Sequence, residues 1–290
     1  MELHYNSLWG CKGSAIVSPP QPCSLDRNNI HHLTSRPYMV SLKTDGVRKV
    51  LFAHHDQRLY WVDRKGAFEP APGTAVPNIF VGTVLDGELV EREGKLTFLV
   101  FDCVAITGTQ VHNKPLIRRL VHATTACKLI KLEDVGMEVK TTVCATHLNR
   151  LLRTPQSHKS DGLVFTPLNA PVEHRGTAKT TLKWKQTHTV DLWLCPSNEH
   201  LVFDLLTEER CVTNRITFDE EDPLGVLTNP RLVECQWNGR NFVPIYENGL
   251  MKVRHDKPRA NTKYVVDRTI QAIVDKVTVD ELVEMRYKRC

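Results

Sequence analysis

The sequence predicts an α+β fold in two domains, and three observations support this prediction. The chain has 290 residues, and domains hold roughly 150 residues each, so about two domains are expected. Residues 47–106 are rich in β-branched and aromatic side chains separated by Gly, Asp and Pro, which is typical of antiparallel strands. After Thr189 the pattern changes to shorter strands with frequent turns. We therefore expect a first domain over residues 1–188 and a second over residues 189–290.

Composition indicates a folded protein, with 41% hydrophobic and 24% charged residues. No stretch approaches 18 consecutive apolar residues, and residues 1–10 lack the basic and apolar regions of a signal peptide, so we expect neither membrane insertion nor secretion. The net charge of +5 mildly favours polyanionic partners. Nine cysteines without a C-x-x-C pair are interpreted as reduced, mostly buried thiols of an intracellular protein. Cys144 and Arg150 have phosphatase-like C-x5-R spacing, but no glycine lies between them, which favours a structural role.

The sequence of the first domain predicts strands with a few helices between them. Its first forty residues contain several prolines and are expected to form loops and a short helix. Apolar spacing then predicts helices over 114–132 and 147–153. The predicted strands are 47–52, 58–62, 84–91, 95–106, 137–143, 162–166 and 181–185.

The sequence of the second domain predicts a small all-β barrel followed by helices. Strands are expected over 190–195, 200–206 and 211–218, and a hairpin over 232–246 turns at Asn238-Gly239, where both residues would take positive φ. The size suits an oligonucleotide/oligosaccharide-binding (OB) fold. The terminal helices are predicted at 262–275 and 278–288.

Familiar nucleotide-binding motifs are absent from the sequence, since it contains neither a P-loop nor a G-x-G-x-x-G turn. Instead, Lys43 precedes an Asp-Gly turn and Arg48 opens the next strand. A lysine amine can act as a nucleophile when nearby cations or a metal ion disfavour its protonated form, and Arg48, Lys183 and Lys185 are available cations. Alone, this motif is more typical of a β-turn with an exposed lysine.

Further charged residues recur at strand positions. Asp86 and Glu88 are two residues apart and should share one face of a strand, and Asp161 opens another strand. Lys183 and Lys185 alternate with Trp184, so both amines should lie on the face opposite the tryptophan. A last cluster occupies residues 254–257 in the second domain.

These segments, in this order, resemble the signature blocks of the covalent nucleotidyltransferase superfamily, which comprises mRNA capping enzymes and ATP-dependent polynucleotide ligases. Three local features resemble the capping branch and not the ligases. They are Ser41, where ligases usually have glutamate, the Asp161-Gly162 pair, and the Q-P-x-S-L pattern within Pro20 to Leu25. The matching blocks are 43–48 (K-x-D-G-x-R), 86–89 (D-G-E-L), 95–108 with Phe98, Phe101 and Asp102, 161–164 (D-G-L-V), 182–185 (L-K-W-K) and 254–257 (R-x-D-K).

The resemblance implies a ligase-like (ATP-grasp/ligase-like) nucleotidyltransferase domain with antiparallel sheets, followed by an OB-fold barrel. Lys43 would attack the α-phosphate of GTP and carry GMP, which is then transferred to the 5′-diphosphate end of RNA. Lys183 and Lys185 would bind the nucleotide and neutralise phosphate charge, while Glu88 and Asp161 would bind the nucleotide and hold Mg²⁺ or Mn²⁺.

Other site residues are also implied by the resemblance. Arg48 and Glu88 would contact the ribose or phosphates, Phe101 would stack on guanine, and the second domain would close to bring the R-x-D-K residues Arg254, Asp256 and Lys257 to the β- and γ-phosphates.

Partners follow from the same resemblance: GTP, 5′-diphosphate RNA, a separate RNA triphosphatase and a polymerase C-terminal tail, with no membrane. The expected location is the nucleus in a cellular host or the cytoplasm in a viral one. Two alternatives stay open at this point: an ATP-dependent nucleic-acid ligase, and a non-enzymatic relic whose barrel binds RNA or a polymerase tail.

Overall fold

The computed structural model describes residues 1–13, 15–155, 158–174, 176–199, 201–218 and 230–290. These residues form two compact units. The first unit consists of Met1–Lys185 together with Val279–Cys290, and the second consists of Gln186–Thr278. This grouping differs from the domain range 189–290 expected from the sequence, because the last residues of the chain pack with the first unit.

The first unit consists mainly of β-strands. Two 3₁₀ helices, Pro77–Val81 and Ala145–His147, join them. In chain order the other elements are α1 (Glu2–Leu8), β1 (Gln21–Ser24), α2 (His32–Ser35), β2 (Tyr38–Thr44), β3 (Val47–His54), β4 (Arg58–Val62), β5 (Phe68–Pro70), β6 (Gly73–Ala75), β7 (Thr83–Arg92), β8 (Lys95–Ile106), β9 (Thr109–Gln110), α3 (Leu116–Leu129), β10 (Ile130–Leu132), β11 (Val135–Val139), β12 (Thr142–Cys144), α4 (Leu148–Arg153), β13 (Ser160–Pro167) and β14 (Thr177–Lys185).

Two sheets organise this unit. A seven-stranded sheet has the order β11-β8-β7-β3-β4-β5, with β9 paired to β8, and a five-stranded sheet has the order β1-β14-β13-β2-β12. The predicted antiparallel pairing among β3, β4, β7 and β8 is confirmed. The chain passes between the sheets at Asp45-Gly46, which joins β2 to β3, and at Lys140-Thr141, which joins β11 to β12.

The seven-stranded sheet is covered on both faces, because successive strand residues point to opposite sides. Leu51 of β3 belongs to an apolar core that includes Ala123 of α3. Its neighbour Phe52 belongs to a second core with Tyr5 and Trp9 from the N-terminal segment. Burial on both faces holds the central strands in place, which gives the residues at their ends a fixed position.

The second unit consists of strands followed by a helix. Its elements are β15 (Thr189–Pro196), β16 (Val202–Leu206), β17 (Val212–Thr217), β18 (Arg231–Trp237), β19 (Phe242–Pro244), β20 (Tyr246–Glu247), β21 (Leu250–Met251) and α5 (Lys263–Asp275). Five of the strands form an antiparallel sheet of order β17-β16-β15-β18-β19. The Asn214 side-chain amide donates to the Phe242 carbonyl at 2.9 Å, so the two edge strands β17 and β19 approach each other and the sheet curls into a half-barrel. This shape is consistent with an OB fold.

The last residues of the chain return to the first unit. Helix α6 (Val279–Glu284) carries Glu281, which pairs with Arg27, and the Tyr287 ring stacks on Phe165 of β13 with 6.3 Å between ring centroids. A disulfide joins Cys290 to Cys144 at the end of β12. The expectation that all nine cysteines are reduced is therefore wrong for this pair, although the reading of Cys144 as structural is confirmed, because a disulfide sulfur is not a nucleophilic thiolate.

Local details also differ from the sequence predictions. The strand expected over 137–143 is two strands, β11 and β12, which lie in different sheets. The hairpin turn at Asn238-Gly239 is wider than a two-residue turn, since Trp237 pairs with Phe242 and only Gly239 of the two turn residues takes positive φ. Asn238 stabilises this wider loop by accepting the backbone N–H groups of residues 240 and 241. The predicted strand residue His200 lies outside the described residues.

The observed architecture confirms the predicted fold class, which is α+β with mostly antiparallel sheets. Among the described residues, no helix is long and apolar enough to cross a bilayer.

Candidate active site

Lys43 lies at the centre of a charged cluster on the five-stranded sheet. Its Nζ is 2.7 Å from Asp161 Oδ1, and Lys185 Nζ is 2.8 Å from Asp161 Oδ2. One carboxylate therefore holds two amines. Burial alone would raise the pKa of Asp161, but hydrogen bonds from Lys185 and Lys43 outweigh it and hold the pKa below its ordinary value.

Strand register explains why these residues meet. Strand β13 lies between β2 and β14, and Gly162 is paired with Lys43 on one side and with Lys185 on the other. A Cβ atom at Gly162 would lie 1.9 Å from the Trp184 carbonyl oxygen, so only glycine fits at this position. The Asp-Gly pair thus combines the carboxylate with the close strand approach that brings both lysines to it.

Lys183 extends the same group of cations. It alternates with the buried Trp184 along β14, as the sequence predicts. Burial lowers the pKa of Lys183, and the positive charges of Lys185, Lys43 and Arg64 lower it further. The amines of Lys43, Lys183 and Lys185 thus form a positive region that suits a polyphosphate.

Glu88 belongs to a second polar group, near the point where the chain passes between the sheets. The Thr44 hydroxyl donates to Glu88 Oε2 at 2.5 Å, and Lys140 Nζ donates to Thr44 Oγ1 at 2.9 Å. Lys140 Nζ also lies 3.7 Å from Glu88 Oε2, and only 8% of the lysine is exposed. Burial lowers its pKa to about 8 in spite of the opposing charge of Glu88.

Arg48 and Phe101 lie on the seven-stranded sheet. Arg48 forms two hydrogen bonds with the buried Asp86, at 3.0 Å and 2.5 Å, and a third with the Pro20 carbonyl at 2.8 Å. Its guanidinium carbon is 5.4 Å from the centre of the Phe101 ring, and Lys140 Nζ is 5.8 Å from that centre. A partly exposed aromatic ring with two cations within 6 Å of its centre offers a stacking surface for a base.

Asp102, the neighbour of Phe101, has a supporting role. Its carboxylate accepts two hydrogen bonds from the buried Arg119 of α3, at 2.6 Å and 3.1 Å. Arg119 also donates to the carbonyls of Lys114 and Ala170. This buried pair fixes α3 to β8 behind Phe101, so the aspartate of the sequence block acts on the fold and not on a ligand.

The proline-rich segment before α2 also lies at the site. Strand β1 runs parallel to β14, with Ser24 opposite Lys183, and the Leu25 amide donates to the Lys183 carbonyl at 2.8 Å. Together with the bond from Arg48 to Pro20, this pairing places residues 20–25 beside the positive region, which sequence order alone does not show.

Glu88 and Asp161 have the donor chemistry for Mg²⁺ or Mn²⁺, since both ions prefer carboxylate oxygens. Each carboxylate is already held by neighbours, Glu88 by Thr44 and Asp161 by two lysines. Within the described residues, neither belongs to a group of three close His, Cys, Asp or Glu ligands. Each carboxylate therefore fits an ion that takes few protein carboxylates and completes its shell with phosphate oxygens and water.

The R-x-D-K residues form a separate charged cluster in the second unit. Arg254 donates to Asp256 at 2.9 Å and 2.8 Å and to Asp191 at 2.9 Å, and Lys257 pairs with the other oxygen of Asp191. The hydrogen bond from Arg254 lowers the pKa of Asp256 to about 2. These contacts hold Arg254, Asp256 and Lys257 in one group within their own unit.

Comparison with known proteins places the chain in a family. The protein-family model for the catalytic domain of mRNA capping enzymes matches residues 14–187, and the protein-family model for their C-terminal domain matches residues 166–283. The chain belongs to the mRNA capping enzyme family. The resemblance drawn from the sequence blocks is thereby confirmed.

Curated relatives of this family cover most of the chain. The mRNA-capping enzyme subunit alpha of Saccharomyces cerevisiae is 25% identical over 93% of this chain and 79% of its own length. The corresponding protein of Schizosaccharomyces pombe is 26% identical over 91% of this chain and 78% of its own length. Among solved structures, mycobacterial DNA ligase D complexed with ATP and MES aligns with a TM-score of 0.49 at 12% identity, covering 83% of this chain and 96% of that chain.

The predicted site residues of this capping-enzyme chain fall into two groups. Asp161 contacts Lys43 and Lys185. Glu88 and Phe101 lie beside Lys140, and Arg48 lies beside Phe101. Lys140 was missed, because Val139-Lys140-Thr141 carries no motif and a lone lysine in a predicted strand gives no signal. The roles expected for Arg254, Asp256 and Lys257 stay predictions.

Proposed function

We propose that this protein is an mRNA guanylyltransferase that transfers GMP from GTP to the 5′-diphosphate end of RNA through a covalent lysine intermediate. Membership of the capping enzyme family supports the activity. The observation that carries the residue assignment is the position of Lys43, whose amine lies 2.7 Å from Asp161 in a row of cationic strand residues.

In the first step, the neutral Lys43 amine attacks the α-phosphorus of GTP. A nitrogen–phosphorus bond forms, the bond to the β-phosphate oxygen breaks, and pyrophosphate leaves with its electron pair. The nitrogen loses one further proton to solvent and becomes a neutral phosphoramidate nitrogen. The amine must give up its proton before the attack, because an ammonium ion has no lone pair. Asp161 orients Lys43 by a hydrogen bond, and it shares this contact with Lys185.

In the second step, a terminal β-phosphate oxygen of the RNA attacks the same phosphorus. The nitrogen–phosphorus bond breaks, the lysine regains a proton, and GpppN-RNA is released. Negative charge on phosphate oxygens is present throughout both steps, so electrostatic stabilisation by Lys183 and Lys185 is the main contribution of these residues.

Base binding is assigned to the surface formed by Phe101. A purine stacked on this ring would gain about 1–3 kcal/mol, and Arg48 and Lys140 lie beside it. Arg48 is held in place by Asp86, which orients its guanidinium for a polar ligand. Lys140 is a buried donor, and donors suit the carbonyl and ring nitrogen acceptors of guanine.

Glu88 and Asp161 would supply carboxylate oxygens for a divalent ion, and Mg²⁺ or Mn²⁺ held there would polarise the phosphates as a Lewis acid. In the second unit, Arg254 and Lys257 are assigned to the β- and γ-phosphates, and Asp256 orients Arg254 by two hydrogen bonds. GTP and 5′-diphosphate RNA are the proposed substrates. An RNA triphosphatase and a polymerase tail are the proposed partners in an intracellular mRNA-processing pathway.

The test is covalent labelling. The purified protein is incubated with Mg²⁺ and either α-labelled GTP or α-labelled ATP, then analysed by denaturing electrophoresis. We expect acid-labile label from GTP in the wild type, none in Lys43→Ala, and wild-type label in Lys131→Ala, which removes an exposed lysine. Transfer of the label to 5′-diphosphate RNA would complete the assignment.

Two outcomes would contradict the proposal. Label from ATP and not from GTP would make the protein a polynucleotide ligase. No label from either nucleotide, with Mn²⁺ also tried, would favour a binding protein without catalysis.

A further inference from the structure

Three histidines form a cluster apart from the candidate active site. His4 lies on α1, His54 ends β3, and His55 follows in the turn to β4. One potential ligand nitrogen from each ring lies within 4.8 Å of the other two. In the part of the chain that the structure describes, this is the one group of three or more His, Cys, Asp or Glu residues placed closely enough to hold a metal ion.

We propose that His4, His54 and His55 bind a divalent transition-metal ion, zinc above all, and that the ion fastens α1 to the β3–β4 turn. The expected coordination is tetrahedral, with three imidazole nitrogens and a water molecule. The ion is a structural element of the first unit and is separate from the divalent ion proposed for the reaction.

The buried nitrogen of His54 supports this proposal. Only 6% of His54 is exposed, and its Nε2 is buried without a hydrogen-bond partner. Leaving a buried polar atom unpaired costs about 1–3 kcal/mol, so such an atom calls for an explanation. The other nitrogen, Nδ1, lies 3.1 Å from Asp56 Oδ1. The Asp56 backbone N–H also lies 3.3 Å from this Nδ1. When Nδ1 donates to the carboxylate, Nε2 carries the lone pair, which is the usual arrangement of a zinc-binding histidine.

The two nitrogens of His4 have different neighbours. Its Nδ1 lies 3.0 Å from Nδ1 of His55. The Nε2 atom lies on the side of Gly82, where a Cβ would come within 2.9 Å of it. Gly82 has a φ of +142°, so glycine is required there both by conformation and by the space that the His4 ring occupies.

The distance between the His4 and His55 nitrogens is close to the spacing around a bound ion. Zinc–nitrogen bonds of about 2.0–2.1 Å in a tetrahedron place two ligand nitrogens about 3.3 Å apart. The His4 and His55 nitrogens are 3.0 Å apart, and His55 is exposed, so its side chain can rotate to adjust the remaining distances. An exposed ligand also gives the ion a path from solvent.

A metal ion here would join parts of the chain that are distant in sequence. His4 belongs to a short helix, whereas His54 is the last residue of β3 in the seven-stranded sheet and His55 lies in the turn that follows. The His4 ring already packs on Phe52, with 5.5 Å between ring centroids. The ion would add three bonds to this contact and hold the N-terminal segment, including Tyr5, on its face of the sheet.

The experiment measures zinc binding by the full chain after removal of metal with a chelator. Titration with Zn²⁺ should show one site per chain, and His55→Gln should weaken the affinity at least tenfold. The matched control is the double variant His31→Gln/His32→Gln. It removes two histidine rings that lie outside the cluster, with 4.3 Å between their centroids. This control should bind zinc as the wild type does. His4→Gln serves as a second partly exposed variant.

Co²⁺ substitution distinguishes the cluster from the cysteines of the chain. The expected visible spectrum is that of a tetrahedral nitrogen and oxygen site without a sulfur charge-transfer band. Zinc should also raise the melting temperature of the wild type and of the control but not of His55→Gln. Equal affinity in His55→Gln and the wild type, or a sulfur band in the Co²⁺ spectrum, would overturn the proposal. Enzyme–GMP formation by His55→Gln with Mg²⁺ should match the wild type, since this ring lies outside the catalytic group.

Discussion

Replacing Lys140 with methionine is expected to make the protein more stable and at the same time weaken GTP binding. The amine is buried, and its pKa falls from 10.5 to about 8. At about 1.4 kcal/mol per pKa unit, this difference corresponds to a cost of about 3 kcal/mol when the folded protein keeps the amine charged. Methionine fills similar space without a charge.

Removing the amine relieves this cost and so stabilises the folded protein. Part of the gain in stability is lost, because Glu88 then keeps only its hydrogen bond from Thr44. We therefore expect a net gain of about 1–3 kcal/mol in the free energy of unfolding at pH 7. The difference in stability between the variant and the wild type also depends on pH. Between about 8 and 10.5 the unfolded chain keeps a proton on Lys140 that the folded chain has lost, so the stability of the wild type rises with pH in this window. The advantage of the variant should therefore shrink across this window.

Urea denaturation at pH 7 and at pH 10 measures the difference between Lys140→Met and the wild type. Lys131→Met, at an exposed position, is the control, and it should stay within about 0.5 kcal/mol of the wild type at both pH values. Enzyme–GMP formation at limiting GTP should fall about tenfold or more in Lys140→Met, which is the loss expected for one hydrogen bond from a charged donor. A variant that is less stable than the wild type at pH 7, or a stability difference that does not change with pH, would refute the reasoning.

Three further predictions concern other parts of the molecule. Arg119→Met should lower the free energy of unfolding by about 3–5 kcal/mol in denaturation experiments, because it leaves Asp102 buried without its partner. Gly162→Ala should abolish enzyme–GMP formation, since its Cβ would overlap the Trp184 carbonyl; a soluble variant with full activity would contradict this. Arg254→Met should slow enzyme–GMP formation from GTP at least tenfold in a labelling time course, and a wild-type rate would remove Arg254 from the proposed phosphate contacts.

Strand alternation made much of the site predictable from the sequence. Lys183 and Lys185 share a face of β14 because of the two-residue period, and glycine at 162 marks the close strand approach. The position of Lys140 could not be predicted in this way. Its side chain reaches Thr44 because the chain changes sheets directly after β11, and a change of sheet leaves no periodic pattern.

Turn and terminus predictions failed for a different reason. At Asn238 the sequence pair Asn-Gly favoured a tight turn, but the register of β18 and β19 left four residues in the loop, and the asparagine side chain bonded to the backbone instead. The partner of Cys144 is a cysteine 146 residues away, a separation that no local pattern can indicate. The loop was set by the register of neighbouring strands, and the disulfide by a contact between distant segments.

The return of Val279–Cys290 to the first unit makes the second unit an insertion in topological terms. Its chain enters after Lys185 and leaves before Val279, so both ends are anchored in the same body. A protein shortened at residue 278 would therefore not lose a dispensable tail. It would lose the Tyr287 ring that covers Phe165 on the strand of Asp161, together with the partners of Arg27 and Cys144. An independently folding catalytic body would need residues 1–185 joined to 279–290 by a linker, a rearrangement that the order of the sequence does not reveal.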